Sequence, residues 1–513
     1  MLLPLPTPEE MMLWDRETIQ TIGIPGATLM ESASREAVDV LLEEYGSVEN
    51  AEIFCFAGSG NNGGDAFAMA RQLADLGADV TVFHTIAKKR YRGETRQNLQ
   101  WAQKLGVPLR HLSAVNTDSL PQPDIIVDGL LGTGLQGPLR DDYLTLVRSL
   151  NRLGKRAFVL AVDIPSGLSG LTGAPLPEAV VADATVTFQA PKLGLAMPGA
   201  NRFTGMLHVR TIGIPNLVQE KNPASHHLIT EEALDRIPGL VHDMHKGTAG
   251  HVLIVGGSIG LTGAPHLAAR AALRSGAGLV TLACPAGLAD SIKHGAPDIM
   301  TLPLGQGDEW TADIANDLLS QMDRFDAVVV GPGIGRAQKT VDLLEDFIAK
   351  CPARTVLDAD ALYALSKFPG RIAELPAETI LTPHPGEMAM LFASAIPEIQ
   401  GDRLGCAKRF TKMSEAILVL KGAGTVVTNK DVTAISPFSE PNLSVGGSGD
   451  ILAGVIGSLL ARGVTAIEAA CIGVYWHGLA GRMLRKDFPA RGNLATEIAS
   501  ALPLAIQHHL KDM

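Results

Sequence analysis

The segment GGSGDILAG at 446–454 joins four small residues and an aspartate to the start of a helix-forming stretch. Backbone N–H groups of such a loop at a helix N-terminus form an anion hole, which can stabilise a phosphoryl group during its transfer. Asp450 completes the motif, and a carboxylate in that place can take the proton from an attacking hydroxyl. A plainer interpretation stays open, in which the segment is a turn and Asp450 caps the helix.

Further segments of the second half place glycines or polar residues at the end of apolar, strand-like runs. They are Gly331-Pro-Gly333-Ile-Gly335, Asp358-Ala-Asp360, His384 in TPHPGE, and Lys421-Gly-Ala-Gly-Thr425. Each alone fits a turn, a helix cap, a packed histidine or a surface lysine. Together they indicate one ligand crevice, because the carboxyl ends of parallel strands meet at one edge of a sheet. The chain has no G-x-x-x-x-G-K-[ST] motif, which disfavours a Walker-type ATPase.

In the first half, AGSGNNGGDAF follows a predicted strand and opens a predicted helix. Gly58, Gly60 and Gly63 match the G-x-G-x-x-G spacing, but the next strand ends in His84 where a hydride-transfer unit would place an acid on the ribose. Asp65 instead puts a carboxylate where the helix N-terminus would otherwise attract a pyrophosphate. The alternative is that Asp65 only caps this helix.

Two more aspartates end neighbouring predicted strands, Asp128 before GLLGTGLQGP and Asp163 before IPSG. With Asp65, Asn62 and Ser166 they form a predicted cluster of oxygen ligands at one edge of the sheet. Such a set suits a cation that prefers oxygen.

The elements that must position these residues follow a βαβ pattern, which predicts an α/β protein with parallel sheets. The runs predicted as strands are 51–58, 78–84, 124–129, 157–165, 184–191 and 206–215, then 251–257, 278–285, 326–333, 354–360, 378–386 and 416–424. A length of 513 residues favours two domains. A polar stretch near 216–228 predicts the linker, which gives domains at 1–222 and 223–513, and 425–436 predicts an antiparallel hairpin turning at Asn429.

The composition and charge of the chain limit the classes of partner that we expect it to bind. The net charge is −11 and the basic residues are scattered, so we expect small-molecule substrates and no nucleic acid. No apolar run reaches the roughly 18 residues of a membrane span, and the beginning MLLPLPTPEE lacks the basic region of a signal peptide. Five widely spaced cysteines predict reduced thiols. We therefore expect a cytoplasmic protein without membrane attachment.

The first half resembles the NAD(P)H-hydrate epimerase domain through GIPGATLMES, GNNGGD, DGLLGTGLQGP, VDIPSG and QAPKLGL, over roughly residues 10 to 215. The resemblance implies a Rossmann-like, three-layer α/β/α domain and a bound potassium ion held by Asn62, Asp128 and Ser166. The substrate contacts that it implies are Asn61, Asn62, Gly63, Gly64, Asp65, Gly132, Thr133, Gly134, Leu135, Gln136, Gly137, Pro138, Tyr143 and Asp163.

Interconversion of the R and S hydrates at C6 of the nicotinamide ring requires a general acid or base, and our hypothesis is that Asp163 is that residue. Two departures from the family pattern are Ser59 in place of proline and Ala33-Ser34 in place of Ala-Gly. Both substitutes are small, so they affect loop stiffness more than chemistry.

The second half resembles ribokinase-like kinases, and most closely the ADP-dependent NAD(P)H-hydrate dehydratase. The matching segments are HKGTAGHVLIVGGSIGLTGAP, VVVGPGIG, DADAL, TPHPGE, KGAGT and GGSGD, over about residues 229 to 510. The resemblance implies ADP as phosphate donor, magnesium, and Asp450 as the catalytic base. It implies hydrate contacts at Ala264, Gly333, His384 and Asp450, and donor contacts at Lys421, Gly422, Ala423, Gly424, Thr425 and Gly449.

The whole chain therefore resembles the bifunctional enzymes that repair hydrated NAD(P)H, which form homo-oligomers. One departure is SEPNLSV before GGSGD, where the family has an Asn-Pro-Gly-Met-Ala-Thr run. Two alternatives remain open at this point. The second half could phosphorylate another small alcohol, or the first half could be a silent nucleotide-binding module.

Overall fold

The structure is a computed structural model that describes residues 1–135, 137–239, 245–488 and 491–507, with residue 118 described by its backbone only. These residues form two compact units. The first unit is Pro4–His226, and the second combines Met1–Leu3 with His227–Met513. The short strand β1 (Leu2–Pro4) belongs to the sheet of the second unit. The domain boundary predicted between residues 222 and 223 stays a prediction, because it concerns which segments fold independently.

The first unit contains a seven-stranded parallel sheet. Its strands are β2 (Glu52–Ala57), β3 (Asp79–His84), β4 (Leu109–His111), β5 (Ile125–Gly129), β6 (Phe158–Val162), β7 (Ala184–Phe188) and β8 (Met206–Arg210). Its helices are α1 (Pro8–Arg16), α2 (Gly26–Tyr45), α3 (Asn61–Asp75), α4 (Gly93–Lys104), α5 (Asp141–Leu153), α6 (Leu193–Ala196), α7 (Asn201–Thr204) and α8 (Asn216–Lys221).

The sheet order β4-β3-β2-β5-β6-β7-β8 changes direction between β2 and β5. Ligands of open α/β sheets bind at the carboxyl ends of the strands beside such a reversal. Both faces of the sheet are covered, because Ile53 and Cys55 of β2 join one apolar cluster while Phe54 and Phe56 join another. This gives the predicted α/β/α layers and explains why the strands are apolar throughout.

The second unit contains an eleven-stranded mixed sheet. Its other strands are β9 (His227–Ile229), β10 (His251–Val255), β11 (Leu279–Pro285), β12 (Met300–Leu304), β13 (Ala327–Val330), β14 (Thr355–Leu357), β15 (Ile380–Leu381), β16 (Ile417–Leu420), β17 (Val426–Thr428) and β18 (Thr433–Ile435). Its helices are α9 (Gly263–Arg274), α10 (Ala289–Lys293), α11 (Ile314–Ser320), α12 (Gln338–Ala349), α13 (Asp360–Lys367), α14 (Pro385–Leu391), α15 (Ile396–Gly401), α16 (Arg403–Thr411), α17 (Ser448–Ala461), α18 (Ala466–Met483) and α19 (Ala495–Ala505).

The sheet order is β1-β9-β18-β17-β16-β15-β14-β13-β10-β11-β12, parallel from β16 through β12 and antiparallel at β16-β17-β18. The order reverses between β10 and β13, the second unit's counterpart of the switch point in the first. The apolar helices α17 and α18 cover one face of this sheet. Among the described residues, no helix is both long and apolar enough to cross a membrane.

The predicted α/β class and the predicted hairpin are confirmed. The hairpin turns at Asn429, whose Oδ1 accepts hydrogen bonds from the following backbone. Sequence reasoning missed β1, β4, β9 and β12, three of which have only three residues and are too short to show an alternating pattern.

The stretch predicted as the linker, near 216–228, contains the boundary between the two units, which falls between His226 and His227, but it includes regular structure. This stretch holds α8 and the start of β9. The side chain of Val218 is buried, and the carbonyl of Asn222 accepts a hydrogen bond of 2.7 Å from Trp14 Nε1. Ala224 is also buried, and the backbone N–H of Ser225 donates to Glu10 Oε1 at 3.0 Å, so a segment of polar composition is held by several contacts.

Candidate active sites

The first unit has a cavity of about 520 Å³ at the carboxyl ends of its central strands. Its wall is formed by α1, the start of α3, the loop that follows β5, and side chains from the ends of β6 and β7. We call this cavity the front crevice. It lies where the reversal of strand order predicts a ligand site.

Glycines allow the loops of the front crevice to approach one another. A Cβ atom on Gly58 would lie 1.7 Å from the carbonyl oxygen of Leu130, and one on Gly63 would lie 2.0 Å from that of Gly58. The helix α3 begins at Asn61 with Gly60 as its N-cap. The alternative that Asp65 caps this helix is therefore wrong, and Asp65 instead lines the crevice.

A buried lysine anchors Asp163 in the front crevice. Lys192 Nζ donates to Asp163 Oδ1 at 2.5 Å, to Thr187 Oγ1 at 2.9 Å and to the carbonyl of Phe188 at 2.9 Å. Asp163 also has a positive φ of 66°, which is unusual for a non-glycine residue and is found at functional sites. Lys192 was not among the predicted site residues, although a lysine within the apolar run QAPKLGL was a usable signal.

Two further carboxyl groups share the front crevice with this pair. Burial, followed by the negative charges of Asp163 and Asp15, raises the pKa of Asp65 well above its usual range. Burial also raises the pKa of Asp15 to about 6, although the charge of Lys192 acts in the opposite direction. Asp15 was missed because nothing in its neighbourhood, MLWDRET, marks it as functional.

The predicted cation ligands form one buried cluster. Asp128 accepts hydrogen bonds from the backbone N–H of Ser166 at 2.8 Å and from its hydroxyl at 2.6 Å. Asn62 Nδ2 donates to the carbonyl of Leu131 at 2.9 Å, while Asn62 Oδ1 is buried and has no hydrogen-bond partner among the described residues. An unpartnered amide oxygen beside a carboxylate, a hydroxyl and a carbonyl fits a cation that prefers oxygen.

Most of the predicted substrate contacts come together here. Asn61, Asn62, Asp65, Gly132, Thr133, Gly134, Leu135 and Asp163 line the crevice. Gly63 and Gly64 lie in α3 and, with Gly137 and Pro138, are not part of its lining. Tyr143 is also outside the lining and is buried in an apolar cluster. Gln136 lies outside the described residues. The substrate roles of these residues stay predictions.

The second unit has a cavity of about 670 Å³, which we call the rear crevice. Lys421, at the end of β16, donates to Asp358 Oδ1 at 2.8 Å and lies 3.8 Å from Glu387 Oε2. Thr382 Oγ1 donates to the same Asp358 oxygen at 2.7 Å. Burial alone would lower the pKa of Lys421, but the charges of Asp358 and Glu387 outweigh it and raise that pKa. Lys421 therefore presents a fixed positive charge at the sheet edge.

The GGSGD loop has the geometry of an anion site. Gly447 adopts a positive φ of 91° and is the N-cap of α17, which begins at Ser448. A Cβ on Gly449 would lie 3.0 Å from Lys421 Nζ, so the ammonium group and the first helical amides face the same space. Asp450 lies inside the first turn, and the alternative that it caps the helix is wrong. Burial, and then the charge of Asp358, raises the pKa of Asp450 to about 8.

Two histidines also line the rear crevice. His384 is the N-cap of α14, where its Nδ1 accepts from the backbone N–H of Gly386 at 2.9 Å and of Glu387 at 3.2 Å. Burial and the charge of Lys421 lower the pKa of His384, which favours the neutral ring, and the acceptor role of Nδ1 leaves the proton on Nε2. His477, which sequence reasoning missed, has its Nε2 3.1 Å from Ser448 Oγ, and burial lowers its pKa to about 4.

The remaining predicted contacts of the second unit divide into two groups. Gly422, Ala423, Thr425 and Gly449 line the rear crevice with Lys421, whereas Gly424 does not. Ala264 and Gly333 are also outside its lining but adjoin each other, since a Cβ on Gly333 would lie 3.2 Å from that of Ala264. Their contact with substrate stays a prediction.

The segment SEPNLSV, which precedes the GGSGD loop and departs from the family pattern, is held in place by hydrogen bonds of Asn442. Its side chain donates to the carbonyl of Phe488 at 3.2 Å, and its own carbonyl accepts from Asn493 Nδ2 at 3.0 Å.

Comparison with known proteins assigns a family to each half. The family described as YjeF-related protein N-terminus matches residues 26–194, and the NAD(P)H-hydrate dehydratase family matches residues 252–504. Two units with strand-end lysine–aspartate pairs in open crevices define a two-site α/β enzyme.

Curated relatives cover nearly the whole chain. The bifunctional NAD(P)H-hydrate repair enzyme Nnr of Moorella thermoacetica is 37% identical over 516 residues, which is 98% of this chain and 97% of that protein. The Escherichia coli enzyme of the same name is 33% identical, with 97% and 93% covered. A solved ADP/ATP-dependent NAD(P)H-hydrate dehydratase of Bacillus subtilis is 27% identical, with a TM-score of 0.47, 55% of this chain and 98% of that chain covered. The chain belongs to the family of bifunctional NAD(P)H-hydrate repair enzymes.

Proposed function

We propose that the chain restores NADH and NADPH from their hydrates, with epimerisation in the front crevice and ADP-dependent dehydration in the rear crevice. The observation that carries the proposal is the presence of two separate crevices in one chain. The rear crevice lies within the residues that one family matches, and most of the lining of the front crevice lies within those that the other matches. The name of the relatives supports it, since they are called bifunctional NAD(P)H-hydrate repair enzymes.

In the front crevice, the reaction exchanges the configuration at C6 of the hydrated ring. This carbon bears a hydroxyl group and adjoins the ring nitrogen, so inversion needs a bond to C6 to break and re-form with proton transfer. Asp163 is our candidate for the base. Its support is its position in the crevice wall and its fixed orientation through Lys192.

Potassium is proposed for the cluster of Asn62, Asp128 and Ser166. The support is the oxygen donor set and the unpartnered Oδ1 of Asn62. A bound monovalent cation would supply positive charge close to the loop that follows β5. Those residues would then hold that loop and the start of α3 in one arrangement.

In the rear crevice, the hydroxyl group of the hydrate is a poor leaving group. Transfer of the terminal phosphoryl group of ADP to this oxygen gives AMP, and the phosphate then leaves as C5 loses a proton, which restores the dihydropyridine. Asp450 takes the hydroxyl proton, while Lys421 and the amides near Gly449 stabilise the phosphoryl charge. The carboxylates of Asp358 and Asp450 line the crevice and offer the oxygens that Mg²⁺ prefers.

One assay tests the proposal. Purified chain is incubated with separately prepared R and S hydrates of NADH, together with ADP, Mg²⁺ and K⁺, and the absorbance of the reduced ring near 340 nm is followed. We expect rapid recovery from the S hydrate and recovery from the R hydrate faster than spontaneous epimerisation allows. A stable phosphorylated product without recovery of absorbance would instead indicate a kinase for another alcohol.

Potassium has its own test. Epimerisation is measured without ADP at constant ionic strength while K⁺ is replaced by Na⁺, in the native chain and in Asn62→Leu. We expect K⁺ to stimulate the native chain and to have little effect on the variant. Equal rates in K⁺ and Na⁺ would contradict the assignment.

From the family resemblance, we further propose that the protein is a homo-oligomer and that it is located in the cytoplasm. Light scattering of the purified chain measures the assembly. A monomer at micromolar concentration would contradict it.

A further inference from the structure

The front crevice holds more acids than bases. Among the described residues that line it, the charged side chains are Asp15, Asp65, Glu94, Asp163 and Lys192. One ammonium group therefore faces four carboxyl groups in a confined space. Several carboxylates cannot all be ionised there at low cost, because burial and mutual repulsion both favour the protonated form.

Of these four acids, Lys192 donates a hydrogen bond only to Asp163 among the described residues. All three of its short hydrogen bonds are to Asp163 and to the chain between Thr187 and Phe188. Asp15, by contrast, has no hydrogen bond or ion pair to any other residue that the structure describes. It projects from α1, near the C-terminal end of that helix, into the crevice wall. A polar side chain left without a protein partner beside a ligand crevice is available to the ligand.

We propose that Asp15 is a second proton-transfer residue of the epimerase site and acts as the acid that complements Asp163. This inference rests on the proposed epimerase function. Asp163 takes the proton of the C6 hydroxyl, the C6–O bond becomes a carbonyl, and the electron pair of the C6–N1 bond passes to N1, which receives the proton of Asp15. Rotation about C5–C6 followed by the reverse transfers closes the ring with the opposite configuration.

The two other unassigned acids are less suited to this role. Asp65 is only 7% exposed, and burial together with the negative charges of Asp163 and Asp15 raises its pKa well above the usual range, which favours its protonated form. A protonated Asp65 is suited to donate a hydrogen bond rather than to exchange a proton. Glu94 Oε1 lies against Gly26, where a Cβ atom would be 2.8 Å away. For Asp15, burial raises the pKa and the charge of Lys192 lowers it. The resulting pKa of about 6 allows Asp15 to give and regain a proton near neutrality.

The test compares Asp15→Asn with Glu9→Gln, which removes an exposed carboxylate from the same helix. Conversion of pure R hydrate to S hydrate is measured without ADP, and dehydration of S hydrate with ADP is measured in the same preparations. We expect Asp15→Asn to lower kcat for epimerisation by about 100-fold or more, the range for loss of a general acid. KM and the dehydration rate should change little, and Glu9→Gln should match the native chain.

Two readouts separate catalysis from a structural role. Asp15→Glu retains a carboxyl group and should restore part of the lost rate. An acid works in its protonated form, so native kcat/KM should fall as pH rises above about 6, and this decline should be absent in Asp15→Asn.

A change in kcat below threefold, or an effect confined to KM, would overturn the proposal. If the native chain itself does not exceed the spontaneous epimerisation rate, then the proposed function fails, and that result is recognised before any variant is compared.

Discussion

The two crevices use the same pair of side chains in different backbone settings. In the front crevice Lys192 binds Asp163 at the end of β6, and in the rear crevice Lys421 binds Asp358 at the end of β14. Both lysines are largely buried and each lies among at least three acids. Side-chain charge alone therefore does not distinguish an epimerase site from a phosphoryl-transfer site.

The backbone makes the distinction. Lys421 Nζ lies beside Gly449 in the first turn of α17, so the ammonium group and free amides can bind one phosphoryl group. Lys192 is instead enclosed by Thr187 Oγ1 and the carbonyl of Phe188, which leaves no donor for an incoming anion. This difference supports our proposal that Lys421 stabilises transferred charge, whereas Lys192 fixes the orientation of an acid.

The strongest test of this distinction is Asp450→Asn. It removes the proposed base of the rear crevice while the glycine amides remain. We expect the dehydration rate to fall by about 100- to 10,000-fold, as for other general bases, with epimerisation unchanged. The absorbance assay with S hydrate measures the first rate, and conversion of R to S hydrate without ADP is the control. Retained dehydration would remove Asp450 from the catalytic role.

Lys421→Met tests whether the rear lysine also holds the fold. The substitution leaves Asp358, whose side chain is 2% exposed, without its cation. Breaking a buried ion pair costs about 3–5 kcal/mol, which we expect as a fall in the stability of the second unit by denaturant unfolding. Lys430→Met, which breaks the exposed pair with Glu415, is the matched control and should cost at most about 1 kcal/mol. Equal effects of the two variants would contradict the buried-pair assignment.

The pH profiles of the two activities should differ. A base must be deprotonated, and the pKa of Asp450 is raised to about 8, so dehydration kcat/KM should increase by about tenfold per pH unit below that value and level off above it. The kcat/KM for epimerisation should not increase with pH in this way. Both rates are measured on one preparation between pH 5 and about 9, and identical profiles would show that another step limits them.

The smallest expected effect is that of His477→Phe. Neutral His477 holds the Ser448 hydroxyl at the beginning of α17, and one neutral hydrogen bond contributes about 0.5–1.5 kcal/mol. Dehydration kcat should therefore fall by about 2- to 12-fold, with the epimerisation rate unchanged. His477→Gln keeps a hydrogen-bonding group and should lose less. If both variants lose the same activity, then packing rather than the hydrogen bond is responsible.

Much of both sites was predictable because motif residues follow apolar strands. Asp128, Asp163, Asp358 and Lys421 all end strands that the hydrophobic pattern identified, and parallel strands bring their ends to one edge. Asp15 and His477 were not predictable in this way. They lie within helices, where a single polar residue has the same appearance whether it faces solvent or a crevice.

The sequence by itself determined the α/β class, the two crevices and the glycine loops, since hydrophobic period and glycine spacing are local properties. Only the tertiary structure decided which acids share a lysine, which amide oxygen lacks a partner, and that Asp65 and Asp450 lie inside helices rather than at their caps. The physical reason is that pairing, burial and the resulting pKa depend on distances between segments far apart in the chain, such as Asp15 and Lys192.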